Sequence, residues 1–368
     1  WANVMLSDGT YKADTVKVGQ VVEEKDLGSM YVWIPRYAYQ IAGEKNIKVT
    51  FLKGNSNEGV DGVKYTTDQS TDTTKTAIVH PGFNLGGTQL RGFWTAKFEA
   101  SGTNKDGKAV GNASSSSGSE QYAPDSTTIA KSLPNKISWR HISIGESEKR
   151  SMDIATTSKS SFGLTSGANT HLIKNSEWGA IAYLAQSKYG NNNNEPYINN
   201  VTLNSRSTKR TETAGKTGVN SVYAVTGVTT GTTNAGASTK TLDNLTTTGN
   251  TANNGTYTWD QIEGQKSSST LNMYGVFDLS GGVWERMAGY VANGNGNLNY
   301  YGSSLTDSGK RTISTKYVTV YPHDTAETST DIDTKSRANY NVNKYIFGDA
   351  IRETSASGTG ATSWKGDY

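Results

Sequence analysis

The stretch YGVFDLSGGVWERMAGY (residues 274–290) is the densest apolar and aromatic run in a chain otherwise rich in Thr, Asn, Ser and Gly. Its centre, DLSGG (278–282), combines an Asp with paired glycines, which tight turns use where the backbone φ angle is positive. Phe277 precedes this turn and Trp284 follows it, so both aromatic side chains can enter a core. We therefore predict a structural core turn in which Glu285 is hydrogen-bonded to nearby backbone.

The composition predicts a core built largely from aromatic side chains, with many polar residues outside it. Hydrophobic residues make up 33% of the 368 residues, and Trp, Tyr and Phe make up 10%. Each aromatic side chain buries roughly 150–250 Å², which offsets the low apolar content.

We predict a single domain over residues 1–368. Because the chain opens at Trp1 without a Met, we expect that something upstream was removed or left out.

Charge and cysteine content narrow the function classes. The net charge is +3, and the sharpest basic cluster, STKRTETAGK (207–216), is short and lacks interleaved aromatics, so no nucleic-acid partner is expected. No run approaches the roughly 20 apolar residues of a membrane span, so no membrane insertion is expected within this chain. Cysteine is absent, which removes disulfides, thiolate nucleophiles and cysteine metal sites.

Alternating hydrophobicity predicts strands over residues 29–43, 47–54 and 90–101. In the first of these, Pro35 marks an edge or a bulge. Helices are predicted over residues 135–155, with Ser138 as a candidate N-cap, and over 172–190. In the second helix Asn175 is the candidate N-cap and Gly190 the candidate end.

Two polar tracts interrupt these elements, at about residues 101–132 and 201–270. Both are rich in Thr, Asn, Ser and Gly, and such segments bury too little surface to offset the entropy of ordering them. We interpret them as insertions on one scaffold, built as long loops or short β-ribbons.

Five segments in order resemble one known family. They are MYVWIPRYAYQI (30–41), GFWTAKFEAS (92–101), PNKISWRHISI (134–144), NSEWGAIAYLAQSKYG (175–190) and the opening turn. The last matches the pattern N-x-x-G-L-Y-D-M-x-G-N-V-W-E-W at Asn272, Gly275, Phe277, Asp278, Leu279, Gly281, Val283, Trp284 and Glu285. Together these five motif segments resemble the formylglycine-generating-enzyme (sulfatase-modifying factor) superfamily.

This resemblance implies an α+β fold of the C-type-lectin-like class, elaborated with long polar loop insertions. It also implies structural roles in the turn and the core for Asp278, Gly281, Gly282, Trp284, Glu285, Trp178, Trp33 and Trp94. The chain departs from the pattern at Gly282 and Arg286, and the family's closing C-terminal strands are missing. We therefore expect either a fragment or a partner that supplies a closing strand by β-addition.

The resemblance also bears on cofactors. The family's oxidases bind copper through paired cysteines, which this chain lacks, and its iron enzymes need a histidine cluster. Only His80, His141, His171 and His323 exist, without close metal spacing, so no catalytic residue and no transition metal are predicted. The matching segment of the enzymes binds a structural calcium, which makes Glu285 a candidate calcium ligand, although Gly282 replaces the usual Asn.

Two stretches, 288–309 and 336–349, interleave Tyr with Asn, Gly and Ser, a mixture that antibody loops use for recognition. The candidate ligand-binding residues are Tyr290, Asn293, Asn295, Asn299, Tyr300, Tyr301, Tyr340, Asn341 and Tyr345. The alternative is that these tyrosines pack onto the domain beneath long loops.

The function predicted from the sequence is non-enzymatic adhesion, receptor recognition or structural display outside a cell, on a phage tail tip or a bacterial surface. The partner would be a protein or glycan receptor on a cell surface, or further copies of the chain. Two alternatives stay open: a pilus or filament subunit, and an oxygen- or metal-dependent enzyme of the same superfamily, which the absence of cysteine disfavours.

Overall fold

The chain has a mixed α/β architecture, which confirms the predicted α+β class. A computed structural model describes residues 1–7, 11, 14–23, 26–43, 46–106, 110, 124–134, 136, 138–139, 142–156, 162–192, 197–199, 221–222, 224–225, 257–262, 264–280, 285–292, 304–305, 313–343 and 347–348. Within these ranges the chain forms three α-helices and several small sheets.

The strands are short. They are β1 (Asn3–Leu6), β2 (Ser29–Pro35), β3 (Tyr37–Ile41), β4 (Ile47–Phe51), β5 (Ile78–Val79), β6 (Asn84–Leu85), β7 (Thr88–Gln89), β8 (Gly92–Ala96), β9 (Ala100–Ser101), β10 (Lys131–Ser132), β11 (Ile198–Asn199), β12 (Ser221–Val222), β13 (Ala224–Val225), β14 (Tyr257–Thr258), β15 (Gly289–Ala292) and β16 (Thr319–Pro322). The helices are α1 (Ile144–Asp153), α2 (Asn175–Gln186) and α3 (Ile332–Asn343).

The strand predicted over residues 29–43 is two strands in two sheets. β2 lies between β1 and β8, whereas β3 lies between β4 and β5. The break falls at Arg36, directly after Pro35, which cannot donate a ladder hydrogen bond. The Arg36 side chain is 1% exposed and donates to Ser56 O and to Asn57 Oδ1. These hydrogen bonds hold Arg36 at the point where the chain passes from the first sheet to the second.

The main core lies between these strands and α2. Val32 and Ile34 of β2 and Tyr37 and Tyr39 of β3 are fully buried, together with Ile181 of α2. The Tyr37 hydroxyl donates to Ala180 O at 2.6 Å, and the Tyr39 ring stacks on Tyr183 at 4.9 Å. The aromatic content of the sequence is therefore used where sheet and helix meet.

Both predicted helices are shorter than expected. α1 begins at Ile144, and Ser143 caps it by accepting from Glu146 N at 3.2 Å. The predicted cap Ser138 instead donates to Glu99, because it lies outside the helix.

The start of α2 also differs from the prediction. Asn175 is its first residue, and Lys174 occupies the N-cap position. The Asn175 side chain is not a cap, since it donates to the Tyr321 hydroxyl at 2.7 Å. Gly190 lies beyond the helix end at Gln186. No helix in the described ranges is both long and apolar enough to cross a bilayer.

The two polar tracts are anchored by short strand pairs. β9 pairs with β10, so the two ends of the 101–132 tract meet. In the 201–270 tract, β12 pairs with β11 and β13 pairs with β14. Trp259 is buried against Phe98 and Phe277, so the last part of this tract belongs to the core and not to an insertion.

The C-terminal part is built on a parallel pair. β15 and β16 pair from Gly289↔Thr319 to Ala292↔Pro322, and we call these two strands the β15–β16 platform. α3 contacts the platform, with Tyr340 packed against Val291 and Tyr321.

Candidate functional site

The motif segments that the sequence analysis identified meet in space. The first two pair as β2 and β8, with Trp33 opposite Trp94. The first also contacts the fourth, through the hydrogen bond from Tyr37 to Ala180 O. The scattered motifs therefore form one connected unit.

The remaining motif segments join the same unit through backbone bonds. Trp139 N donates to Ala100 O at 2.8 Å, which ties the third segment to the second. Phe277 N donates to Lys97 O at 2.9 Å, which ties the opening turn to the second. The Phe277 ring stacks on Phe98 at 4.9 Å.

The turn itself is held by Asp278. This residue is 1% exposed and has a positive φ of 62°, a conformation that Asp tolerates better than most residues. Its Oδ1 accepts from Asn199 Nδ2 at 2.8 Å, and its backbone N donates to Ser267 O at 3.1 Å. Gly281, Gly282 and Trp284 lie outside the described residues.

Glu285 contacts another motif segment, because the Trp178 indole N–H donates to its carboxylate. Desolvation raises the pKa of Glu285. The hydrogen bond from the Trp178 indole lowers this pKa, and the negative charge of Asp278 raises it further. The residue is nevertheless exposed to solvent, and water limits the size of this rise. The partner of Glu285 is thus an indole, whereas the sequence predicted nearby backbone.

Within the part of the chain that the structure describes, no calcium site is assembled around Glu285. Calcium takes roughly six or more oxygen ligands, and one oxygen of Glu285 is already bound by the Trp178 indole. In the described ranges no three His, Asp or Glu side chains are grouped so as to hold a metal ion. The calcium role of Glu285 stays a prediction.

Trp94 is corrected by the structure. It was predicted as a core residue, but it is 46% exposed. Trp33 is half-buried, and the two rings lie 5.2 Å apart across the β2–β8 pair. Both side chains point away from the core because residues alternate along a strand, and the inward positions of β2 are Val32 and Ile34. Trp178 packs against the edge of the main core.

Three of the candidate ligand-binding residues can be placed. Tyr290 is half-buried against the cluster of Ile144, Leu305 and Val318, and Tyr340 is half-buried on the platform. Both therefore serve packing at least in part, as the alternative reading of the tyrosines supposed. Asn341 is exposed. The other candidates lie outside the described residues: Asn293, Asn295, Asn299, Tyr300, Tyr301 and Tyr345.

Described residues of the two tyrosine-rich stretches meet at the platform. Because β15 and β16 are parallel, their C-terminal ends lie at the same edge, with Ala292 opposite Pro322. The Asn343 side chain, at the end of α3, donates to Pro322 O at 2.8 Å. Ala292 and Asn343, the last described residues before 293–303 and 344–346, therefore lie at the same end of the platform.

The sequence did not single out His80 as a buried residue. His80 is 0% exposed and lies among the rings of Tyr37, Tyr39, Phe83 and Tyr183. Burial lowers its pKa to about 3.

His171 is half-buried before α2 and lies against the carboxylate of Glu177, with Nε2 3.1 Å from both oxygens. Their spacing of six residues carries no motif that could have revealed this pair. His141 lies outside the described residues.

Comparisons of this chain with known protein families, with curated proteins and with solved structures gave no match.

Proposed function

We propose that this chain is a non-enzymatic, C-type-lectin-like domain of the formylglycine-generating-enzyme superfamily that serves adhesion, receptor recognition or structural display outside a cell. The setting would be a phage tail tip or a bacterial surface. The observation that carries the proposal is that Ala292 and Asn343, one from each tyrosine-rich stretch, both lie beside Pro322 at one end of the β15–β16 platform.

The scaffold supports this assignment in a second way. The five motif segments were chosen for their resemblance to one superfamily, and each of them contacts at least one other through a named hydrogen bond or strand pair. A shared scaffold requires contacts between distant segments, such as the hydrogen bond from Phe277 N to Lys97 O, and these contacts support the resemblance. The absence of cysteine leaves the copper chemistry of the superfamily without its ligands.

A binding experiment tests the proposal. Fluorescently labelled full chain is incubated with a panel of intact Gram-positive strains, and adsorption is measured by flow cytometry. We expect saturable adsorption to some strains, reduced at least about tenfold in the double variant Tyr300→Ala/Tyr301→Ala, since interface tyrosines are frequent hot spots.

The matched control is Tyr274→Ala, which removes an exposed tyrosine (58%) outside both stretches and should adsorb like the unaltered chain. Equal adsorption by the double variant and the control would contradict the proposal. Sedimentation velocity of the same samples distinguishes a filament subunit, which would assemble into long polymers.

A further inference from the structure

The start of α2 is attached directly to the β15–β16 platform. Ala288 N donates to Ile173 O at 2.8 Å, and Thr319 N donates to Ala288 O at 2.9 Å. The side chain of Asn175 donates to the Tyr321 hydroxyl. This junction positions the platform relative to the main core.

His171 lies in the junction with both ring nitrogens against acceptors. Nδ1 is 2.6 Å from Asn169 O, and Nε2 is 3.1 Å from each carboxylate oxygen of Glu177. A carbonyl and a carboxylate can only accept, so both nitrogens must donate, which requires the imidazolium form. The geometry alone therefore selects the charged histidine.

The carboxylate of Glu177 is also held in place. It accepts from Lys174 N at 2.9 Å, and Lys174 Nζ stands 3.6 Å away. Its side chain is 4% exposed, and that of His171 is 15% exposed. A buried carboxylate needs compensating charge, and His171 supplies it beside Lys174.

Asn169 extends the contact to the turn that enters β16. Its carbonyl accepts from His171, while its side-chain Oδ1 accepts from the Tyr317 hydroxyl at 2.9 Å and from Lys316 Nζ at 2.5 Å. The Tyr317 ring also lies 5.2 Å from the His171 ring. His171 thus touches both the start of α2 and the approach to the platform.

We propose that His171 and Glu177 form a proton-dependent latch that ties the platform to α2. When His171 loses its proton, one ring nitrogen presents a lone pair either to Asn169 O or to Glu177, and that contact becomes repulsive. The residues 314–319 are then released from Asn169 and the platform loosens. This latch is independent of what the platform binds.

The direction of the response follows from the surroundings. Burial lowers the pKa of His171, but the hydrogen bond and charge of Glu177 and the Asn169 carbonyl outweigh it, so the pKa is raised above 6.5. Lys174 opposes this rise, and Lys316 and Tyr317 are the other titratable groups that face the ring from the described elements. The latch is therefore closed below pH 6.5 and opens as the pH rises through the raised pKa of His171.

Two measurements on the unaltered full chain test the latch. The Cε1–H resonance of His171 is titrated by NMR, and amide exchange is followed at Ala288 and Thr319, corrected for the intrinsic pH dependence. We expect the titration midpoint of His171 to lie above pH 6.5. As the pH rises through this midpoint, the protection of the Ala288 and Thr319 amides should fall. The total fall should be about tenfold for each pH unit by which the midpoint exceeds 6.5.

Variants separate the latch from general packing. Glu177→Gln should lower the midpoint of His171, and His171→Gln should remove the pH step in the protection of Thr319, whereas the control His323→Gln should keep the step. A midpoint at or below 6.5 would overturn the proposal. So would a raised midpoint without any change in protection, or a step that persists in His171→Gln.

Discussion

The residue that best shows how burial sets chemistry is His80. Its Nδ1 accepts from Gly82 N at 3.1 Å, which fixes the neutral tautomer with the proton on Nε2. Among the residues that the structure describes, Nε2 has no hydrogen-bond acceptor, and the imidazole lies among aromatic rings. A charged imidazole here would lose its hydration without gaining a counter-ion, which is why the pKa falls to about 3.

The first prediction concerns acid stability. Below pH 6.5 the unfolded chain binds a proton at residue 80 that the folded chain rejects until about pH 3. The free energy of unfolding should therefore fall, by up to about 1.4 kcal/mol per pH unit from this group, as the pH drops through this window.

Urea unfolding between pH 7 and pH 4 measures this slope. His80→Asn keeps a cap acceptor without the titration, so it should be less stable at pH 7 but show a smaller slope. His323→Asn is the control and should keep the full slope. An unchanged slope in His80→Asn would show that other groups cause the acid sensitivity.

The second prediction concerns Arg36. Its removal takes away the charged donor of Ser56 O and Asn57 Oδ1, which are partly exposed, and of the buried Phe83 O. A hydrogen bond that involves a charged group contributes about 1.5–3 kcal/mol. Arg36→Met should therefore lower the free energy of unfolding by at least about 2 kcal/mol, measured by urea unfolding. Arg91→Met is the control, because Arg91 is exposed and only its backbone O accepts from Arg36 N. This variant should have little effect on stability. Equal losses of stability in both variants would contradict the stabilising role of the Arg36 guanidinium.

At the scale of elements, the contact between residues 81–83 and α2 is unusually close. A Cβ on Gly82 would lie 2.5 Å from Ser176 O, in the first turn of α2. Backbone cannot yield as a flexible side chain does, so a methyl group there must push the helix away from Phe83.

The third prediction follows from this contact. Gly82→Ala should lower the free energy of unfolding by about 1–3 kcal/mol, as overpacked cores do. Gly167→Ala is the matched control, because its Cβ would meet only Thr165 Oγ1 at 3.5 Å. Urea unfolding measures the free energy of unfolding of both variants. If Gly82→Ala is as stable as the unaltered chain, α2 can move without loss of stability and the prediction is wrong.

Elements whose signal is local were predictable. The alternation of β2 is visible in the residues, and both β2 and α2 exist within the predicted ranges. The break at Arg36 and the cap at Ser143 were missed because they depend on acceptors and packing partners supplied by distant chain. His171 and Glu177 were missed for the same reason, since no pattern links a histidine to a carboxylate six residues later.

For the molecule as a whole, the sequence indicated a small aromatic scaffold that carries polar segments. The described residues agree in part: aromatic clusters hold β2, β8, α2 and the 274–290 turn together. The β9–β10 pair joins the two ends of the first polar tract, and the pairs β11–β12 and β13–β14 each join residues within or next to the second. The C-type-lectin-like assignment and the binding role rest on this arrangement and stay proposals.

The most direct test is a map of the bound surface. Hydrogen–deuterium exchange of the full chain is compared with and without sacculi from a strain that adsorbs it. The account predicts new protection confined to residues 288–303 and 336–349, with β2, β8 and α2 unchanged. Protection centred on the half-buried Trp33 and the exposed Trp94, with those two stretches unaffected, would contradict it.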